Sequence, residues 1–262
     1  MTKKYKYLKI ILLVFLLLAE TAFGQTEEFN YKSGFFNTFK GRLESKLKEI
    51  ETPLLRTVIQ KTTDRNTLWQ QNIQMVKRQE DLNQMKNDLV QVRTALSNNQ
   101  TALLWVNNRI RLIETEFGQN NGRILLLGKS LTVAQREIDS AEAAHLGKVR
   151  ANSKDVGAIE YLFNQWLAER NESNWLGLVR QVFKLSLEKG ISSTLNFSYP
   201  NPQTTVVKIQ PLQGGQIRSV QGRSLSVPAG FYKIWLERNG QRISEPKIYG
   251  IANLEHAITL NN

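Results

Sequence analysis

A 4-3 spacing of apolar residues, sustained for about 100 residues, constrains this chain more than any other feature. From Leu43 it passes through Leu47, Ile50 and Leu54. It crosses a polar stretch and resumes at Leu68, Met75, Leu82, Met85, Leu89, Val92, Leu96, Leu103, Val106, Ile110, Ile113 and Phe117. The same phase continues through Ile124, Leu127, Leu131, Ala134, Ile138 and Ala141. A 3.5-residue repeat of this length keeps one apolar stripe turned toward a partner helix, which is the pattern of a coiled coil. In the polar stretch Thr57, Lys61, Asp64, Gln71 and Arg78 occupy seam positions, while Val58, Trp69, Ile73 and Val76 lie one step round the helix. A broader or rotated packing face is expected there. Asn99 also falls on the seam, either as a polar residue that fixes register or as a tolerated wet position.

Two breaks divide the repeat. Thr52-Pro53 reads as an N-cap followed by proline at the first helical position, so a main helix is expected from Pro53 after a short one from about Phe39. Gly118-Gln119-Asn120-Asn121-Gly122 consists of turn formers and predicts a reversal near 118–122. The arms would then cover 53–117 and 123–189, about 65 residues each and on the order of 100 Å long. Pairing about residue 120 sets Trp69, Met75 and Val76 opposite Ile159, Leu162, Phe163 and Trp166. Phe117, Gln119, Asn120 and Asn121 would form a partner-binding tip. The second arm is expected to break at Asn152-Ser153, to run as a helix from Lys154 to Glu169, and to end in a helix capped by Ser173 that stops at Lys189 before Gly190. An uninterrupted helix to about residue 150, paired in a parallel dimer, is the alternative.

Beyond Gly190 the period changes from helical to alternating. Strands are expected at 204–210, 216–220, 224–227, 231–237, 241–243 and 256–260, separated by Pro200-Asn201-Pro202, Gly214-Gly215, Pro228-Ala229-Gly230 and Asn239-Gly240. Six or seven short strands of this kind predict an antiparallel sandwich, with Asn239-Gly240 closing a hairpin. The segment Ser226-Val227-Pro228-Ala229-Gly230-Phe231-Tyr232-Lys233-Ile234-Trp235 resembles the strand entry of PEGA and carboxypeptidase-regulatory-like modules. The resemblance covers about 60 residues and implies a non-catalytic binding or spacer unit. Capping the base of the hairpin is the simpler role for the same domain.

The N-terminus indicates the compartment. Lys3, Lys4, Lys6 and Lys9 precede an apolar run from Ile10 to Ala19, and Ala22-Phe23-Gly24 suits signal peptidase cleavage before Gln25. About ten apolar residues are too few for a bilayer span, which takes roughly 20. An exported chain of 262 residues with no Cys has no disulfide framework, thiol nucleophile or thiolate metal site. The net charge of +12 and pI of about 9.9 would ordinarily suggest nucleic acid. Export turns that expectation toward anionic surfaces or acidic proteins, with no nucleic acid, and plain solubility charge explains the balance equally well.

His145 and His256 stand far apart with no acidic cluster beside either, and no nucleophile elbow or phosphate loop is present. No catalytic residue, metal site or cofactor is therefore expected. The domains read as a signal peptide (1–24), an N-terminal segment with a short helix (25–52), a helical hairpin (53–190) and a β-sandwich (191–262), an α+β fold. The functional expectation is a non-enzymatic, periplasmic or secreted structural protein. It would bind an envelope protein or associate with itself through the coiled coil, with no transmembrane helix after cleavage. A basic periplasmic chaperone and an export-complex adaptor are the alternatives.

Overall fold

The computed structural model describes residues 28–96, 98–220 and 222–261 in full. The expected signal peptide, residues 1–24, and its cleavage site before Gln25 lie outside the described residues. The fold is α+β, as the change of period predicts. Three helices, α1 (Lys3–Ala95), α2 (Gln100–Glu169) and α3 (Glu172–Lys189), are followed by eight strands among the described residues. These are β1 (Ser192–Ser198), β2 (Thr205–Pro211), β3 (Arg218–Val220), β4 (Ser224–Pro228), β5 (Gly230–Arg238), β6 (Gln241–Arg242), β7 (Lys247–Ile251) and β8 (Glu255–Thr259). The chain divides into two compact units, one of residues 50–149 and the other of residues 1–49 with 150–262.

The unit of residues 50–149 is an antiparallel coiled-coil hairpin, but it reverses at Leu96–Asn99 and not at 118–122. Lys61 pairs with Glu137 at 2.7 Å, Lys86 with Glu114 at 2.7 Å, and Arg78 with Glu116 at 2.6 Å. Partner positions thus sum to roughly 197, where the expected turn required 240. Gly118 to Gly122 stay helical because Phe117, Asn120 and Ile124 all lie on the seam. Burial there outweighs a helix penalty of about 1 kcal/mol per glycine. The reversal is made by Asn99, whose side chain accepts from the Ala102 N–H at 3.1 Å and so caps α2. Asn99 is a cap, not a seam residue.

On α2 the seam runs as expected through Leu103, Val106, Ile110, Ile113, Phe117, Ile124, Leu127, Leu131 and Ala134, with Asn120 added. On α1 it follows Leu54, Val58, Lys61, Arg65, Leu68, Asn72, Met75, Gln79 and Leu82. Thr57, Asp64, Gln71 and Arg78, expected on the seam, are exposed one position away. Moving the stripe by one residue puts Val58 inside and carries Asp64 and Arg78 to water. Pro53 starts no helix. It lies within α1, which gives up one backbone hydrogen bond there and continues.

In the other unit, the N-terminal segment expected to hold a short helix from about Phe39 is part of the continuous α1, and it supplies the core. Phe35, Phe36, Phe39, Leu43 and Leu47 of α1 are buried with Ile159 and Trp166 of α2 and Trp175, Leu178, Val179 and Val182 of α3. The stacked rings of Phe36 and Phe163 lie 3.8 Å apart. No break occurs at Asn152-Ser153: α2 runs through to Glu169. The cap of α3 is Asn171 in place of Ser173, its side chain accepting from the Asn174 N–H at 2.8 Å. Gly190 ends α3 as expected, at φ 68°.

The β-domain is a two-sheet sandwich. One sheet has the order β4-β1-β8, and the other the order β3-β2-β5-β6 with β7 also on β5. The pairing β1–β8 is parallel, against the expected all-antiparallel arrangement. Strands β1 and β7 were not anticipated. The Asn239-Gly240 hairpin is present with φ 50° and 77°, the two positive angles a tight primed turn demands. Pro228-Ala229-Gly230 carries the chain from one sheet to the other. Leu195, Phe197, Val207, Ile209, Ile234, Leu236 and Ile258 fill the interior.

Helix α1 is clamped to this domain by Arg42. Its guanidinium donates to Ser193 Oγ at 2.9 Å and to the carbonyls of Ala252 at 2.7 Å, Asn253 at 3.1 Å and Ser192. Gly250 allows close packing: a Cβ there would lie 2.9 Å from the Phe231 ring, and its N–H donates to Tyr31 Oη.

Candidate functional site

The residues expected at a tip are not brought together at one. Asn120 is buried at 5% exposure and donates through Nδ2 to the Met75 carbonyl and to Gln79 Oε1, both at 2.8 Å. Phe117 is half-buried on the seam, and Gln119 and Asn121 face solvent in mid-helix. Asn120 thus takes the register-fixing role that the sequence suggested for Asn99.

The true end of the hairpin exposes other residues. Leu104 and Trp105, one turn into α2, are 67% and 65% exposed, and Leu112 and Val92 are open as well. From Leu89 to Ile113 the chain carries Arg93, Arg109 and Arg111 and no carboxylate. Glu114 bounds this region. Its hydrogen bond to Lys86, with Arg111 and Arg93 nearby, holds its carboxyl below the usual range. Leu104 and Trp105 lie off the 4-3 seam and so do not stand out in the repeat, although Leu103-Leu104-Trp105 after Asn98-Asn99 offers a cue: two adjacent apolar residues beyond the seam position, next to turn formers.

A second exposed apolar set lies along the arm. Leu55, Ile59, Trp69, Ile73 and Val76 of α1 are all 40% or more exposed. Each follows a seam residue by one position, so they form a second 4-3 stripe beside the one that packs on α2. A helix with two adjacent stripes suits an assembly of more than two helices.

The other unit holds an aromatic cleft of about 440 Å³, lined in part by Tyr31, Lys32, Trp166, Arg170, Trp175 and Phe231. Lys32 Nζ lies 4.8 Å from the Trp175 ring centroid and 5.7 Å from that of Trp166, and it pairs with Glu28. Arg170 covers Phe29 at 4.7 Å. The tryptophans are almost wholly buried, so the ring faces are occupied by the chain's own cations.

His145 sits half-buried on the α2 seam. His256 Nε2 accepts from the Asn253 N–H at 3.0 Å. Burial, with Arg42 nearby, pushes its pKa below the ordinary value. No group of three metal-ligating side chains occurs among the described residues, nor is any helix of the described residues long and apolar enough to cross a membrane. No protein-family model matches the chain, and neither curated proteins nor solved structures show a significant similarity to it.

Proposed function

We propose that this is a non-catalytic, exported interaction protein of the bacterial envelope, with the coiled-coil arm as its principal contact surface. The observation that carries the reading is the concentration of large apolar side chains left open on residues 50–149, foremost Leu104 and Trp105 at the hairpin end. Such a surface is costly in water unless a partner covers it. Arg93, Arg109 and Arg111 beside it favour an acidic or otherwise anionic partner. The β-domain, like the modules its Pro228-Ala229-Gly230 corner resembles, serves as a second, non-enzymatic module. The basic head and apolar run at the N-terminus support export with cleavage before Gln25.

Affinity purification of the tagged chain from envelope fractions tests this reading. The native protein should begin at Gln25 and bring down a partner that is lost with Trp105→Asp, while the helical circular dichroism is unchanged. An unprocessed cytoplasmic chain, or a partner indifferent to Trp105→Asp and Leu104→Asp together, would sink it.

A further inference from the structure

The second stripe on α1 lies on the same flank of the hairpin as the exposed Gly118, Leu125 and Gly128 of α2. Arg65 Nη1 donates to Gln135 Oε1 at 2.8 Å, which marks one flank of the pair. One helical turn beyond Arg65 on that side stands Trp69, 53% exposed, followed by Ile73 and Val76. One heptad before Gln135 on α2 is Gly128, and a turn further on is Leu125, 63% exposed. Trp69 and Gly128 sum to 197, so they lie level with each other. Nothing stands within 4 Å of the position a Cβ would take at Gly128, or at Gly118 on the same side. One flank therefore carries a protruding indole on one helix and, level with it, an exposed glycine with open space above it on the other.

We propose that this flank is the interface with a second copy of the chain, related by a two-fold axis running along the hairpin. Such an axis lays α1 of one copy over α2 of its partner at the same level. Trp69 of each then lies over the side-chain-free surface at Gly128 of the other, the self-complementary contact a two-fold requires. The inference rests on the reading of the arm as a contact surface and names its occupant.

Charge and size favour a second copy. On α1 this flank has no charged side chain between Arg56 and Lys77 apart from Arg65 at its inner margin, which is bonded to Gln135 and Asn66. On α2 its Gly118, Asn121, Leu125, Gly128 and Thr132 are uncharged, with Lys129 at the outer margin. For a chain of net charge +12, like meets like most easily where neither brings charge. The stripe from Leu55 to Val76 is about 33 Å long. Two helices side by side are about 20 Å wide. The face thus offers on the order of 650 Å² per copy, roughly 1,300 Å² in all, within the range of specific interfaces.

The cysteine-free chain makes the test direct. Light scattering of the purified protein should give twice the chain mass. Gly128→Leu raises helix propensity yet puts a side chain where the partner's Trp69 would lie, so it should yield a monomer whose helical signal is equal or greater. Mixing chains carrying Trp69→Cys with chains carrying Gly128→Cys should give a covalent dimer on oxidation, at least tenfold above either alone. A monomer at every concentration overturns the proposal. So does efficient cross-linking of the Trp69→Cys chain to itself, which would lay α1 on α1. A monomer that still loses its envelope partner on Trp105→Asp would overturn the dimer alone and leave the interaction reading in place.

Discussion

At Arg42 one side chain satisfies four acceptors of the β-domain, three of them backbone carbonyls that would otherwise be left without these donors. His256 lies within its electrostatic reach. Because burial, and then Arg42, lowers the His256 pKa, the folded chain favours the neutral imidazole, and its Nε2 accepts from Asn253. A depressed pKa contributes stability that is fully present above the unfolded value, about 6.5. That stability is lost as pH falls through the folded value. Denaturant titrations should therefore show the unit of residues 1–49 and 150–262 weakening as pH drops below about 6.5. His256→Gln should flatten this limb, and an unchanged limb would show that other groups carry it. Little of this was legible beforehand, since His256 read only as a residue of the last strand. Its environment comes from α1, more than 200 residues earlier.

At the scale of elements, the 3.5-residue repeat was legible and the position of its reversal was not. The α2 seam keeps one phase from Leu103 through Phe117 and Ile124 to Ile138, and that unbroken phase across Gly118–Gly122 was itself evidence for a continuous helix. Composition argued for a turn. Packing prevailed, because two exposed glycines cost less than an interrupted seam. Both glycines are helical and exposed, with open space where a Cβ would stand. Gly118→Ala with Gly122→Ala should thus stabilise residues 50–149 by about 1–2 kcal/mol, seen as a higher midpoint in thermal melts. A turn at 118–122 would give the opposite sign. At Leu96–Asn99 the reversal depends on one capping side chain, too brief a pattern to stand out beside five consecutive turn formers.

For the whole molecule, the β-domain does not complete its own core. Phe231, Ala229 and Ala252 belong to the cluster formed by Phe35, Phe36, Phe39, Trp166 and Trp175. Phe39 is fully buried there, and Phe39→Ala should cost about 3–5 kcal/mol. Limited proteolysis should then show residues 191–262 cleaved together with α3. A β-domain that stays protected would mean it folds without α1. The sequence by itself determined the fold class. The helical period, the change to alternation after Gly190, the Asn239-Gly240 hairpin and the absence of cysteine are all set by residues close together in the chain. Tertiary structure decided where the arm turns, which apolar residues stay outside, and that residues 28–47 close the core over the β-domain. Those outcomes depend on which of several adequate local patterns buries the most surface at once, and that competition is settled only when segments distant in the chain meet.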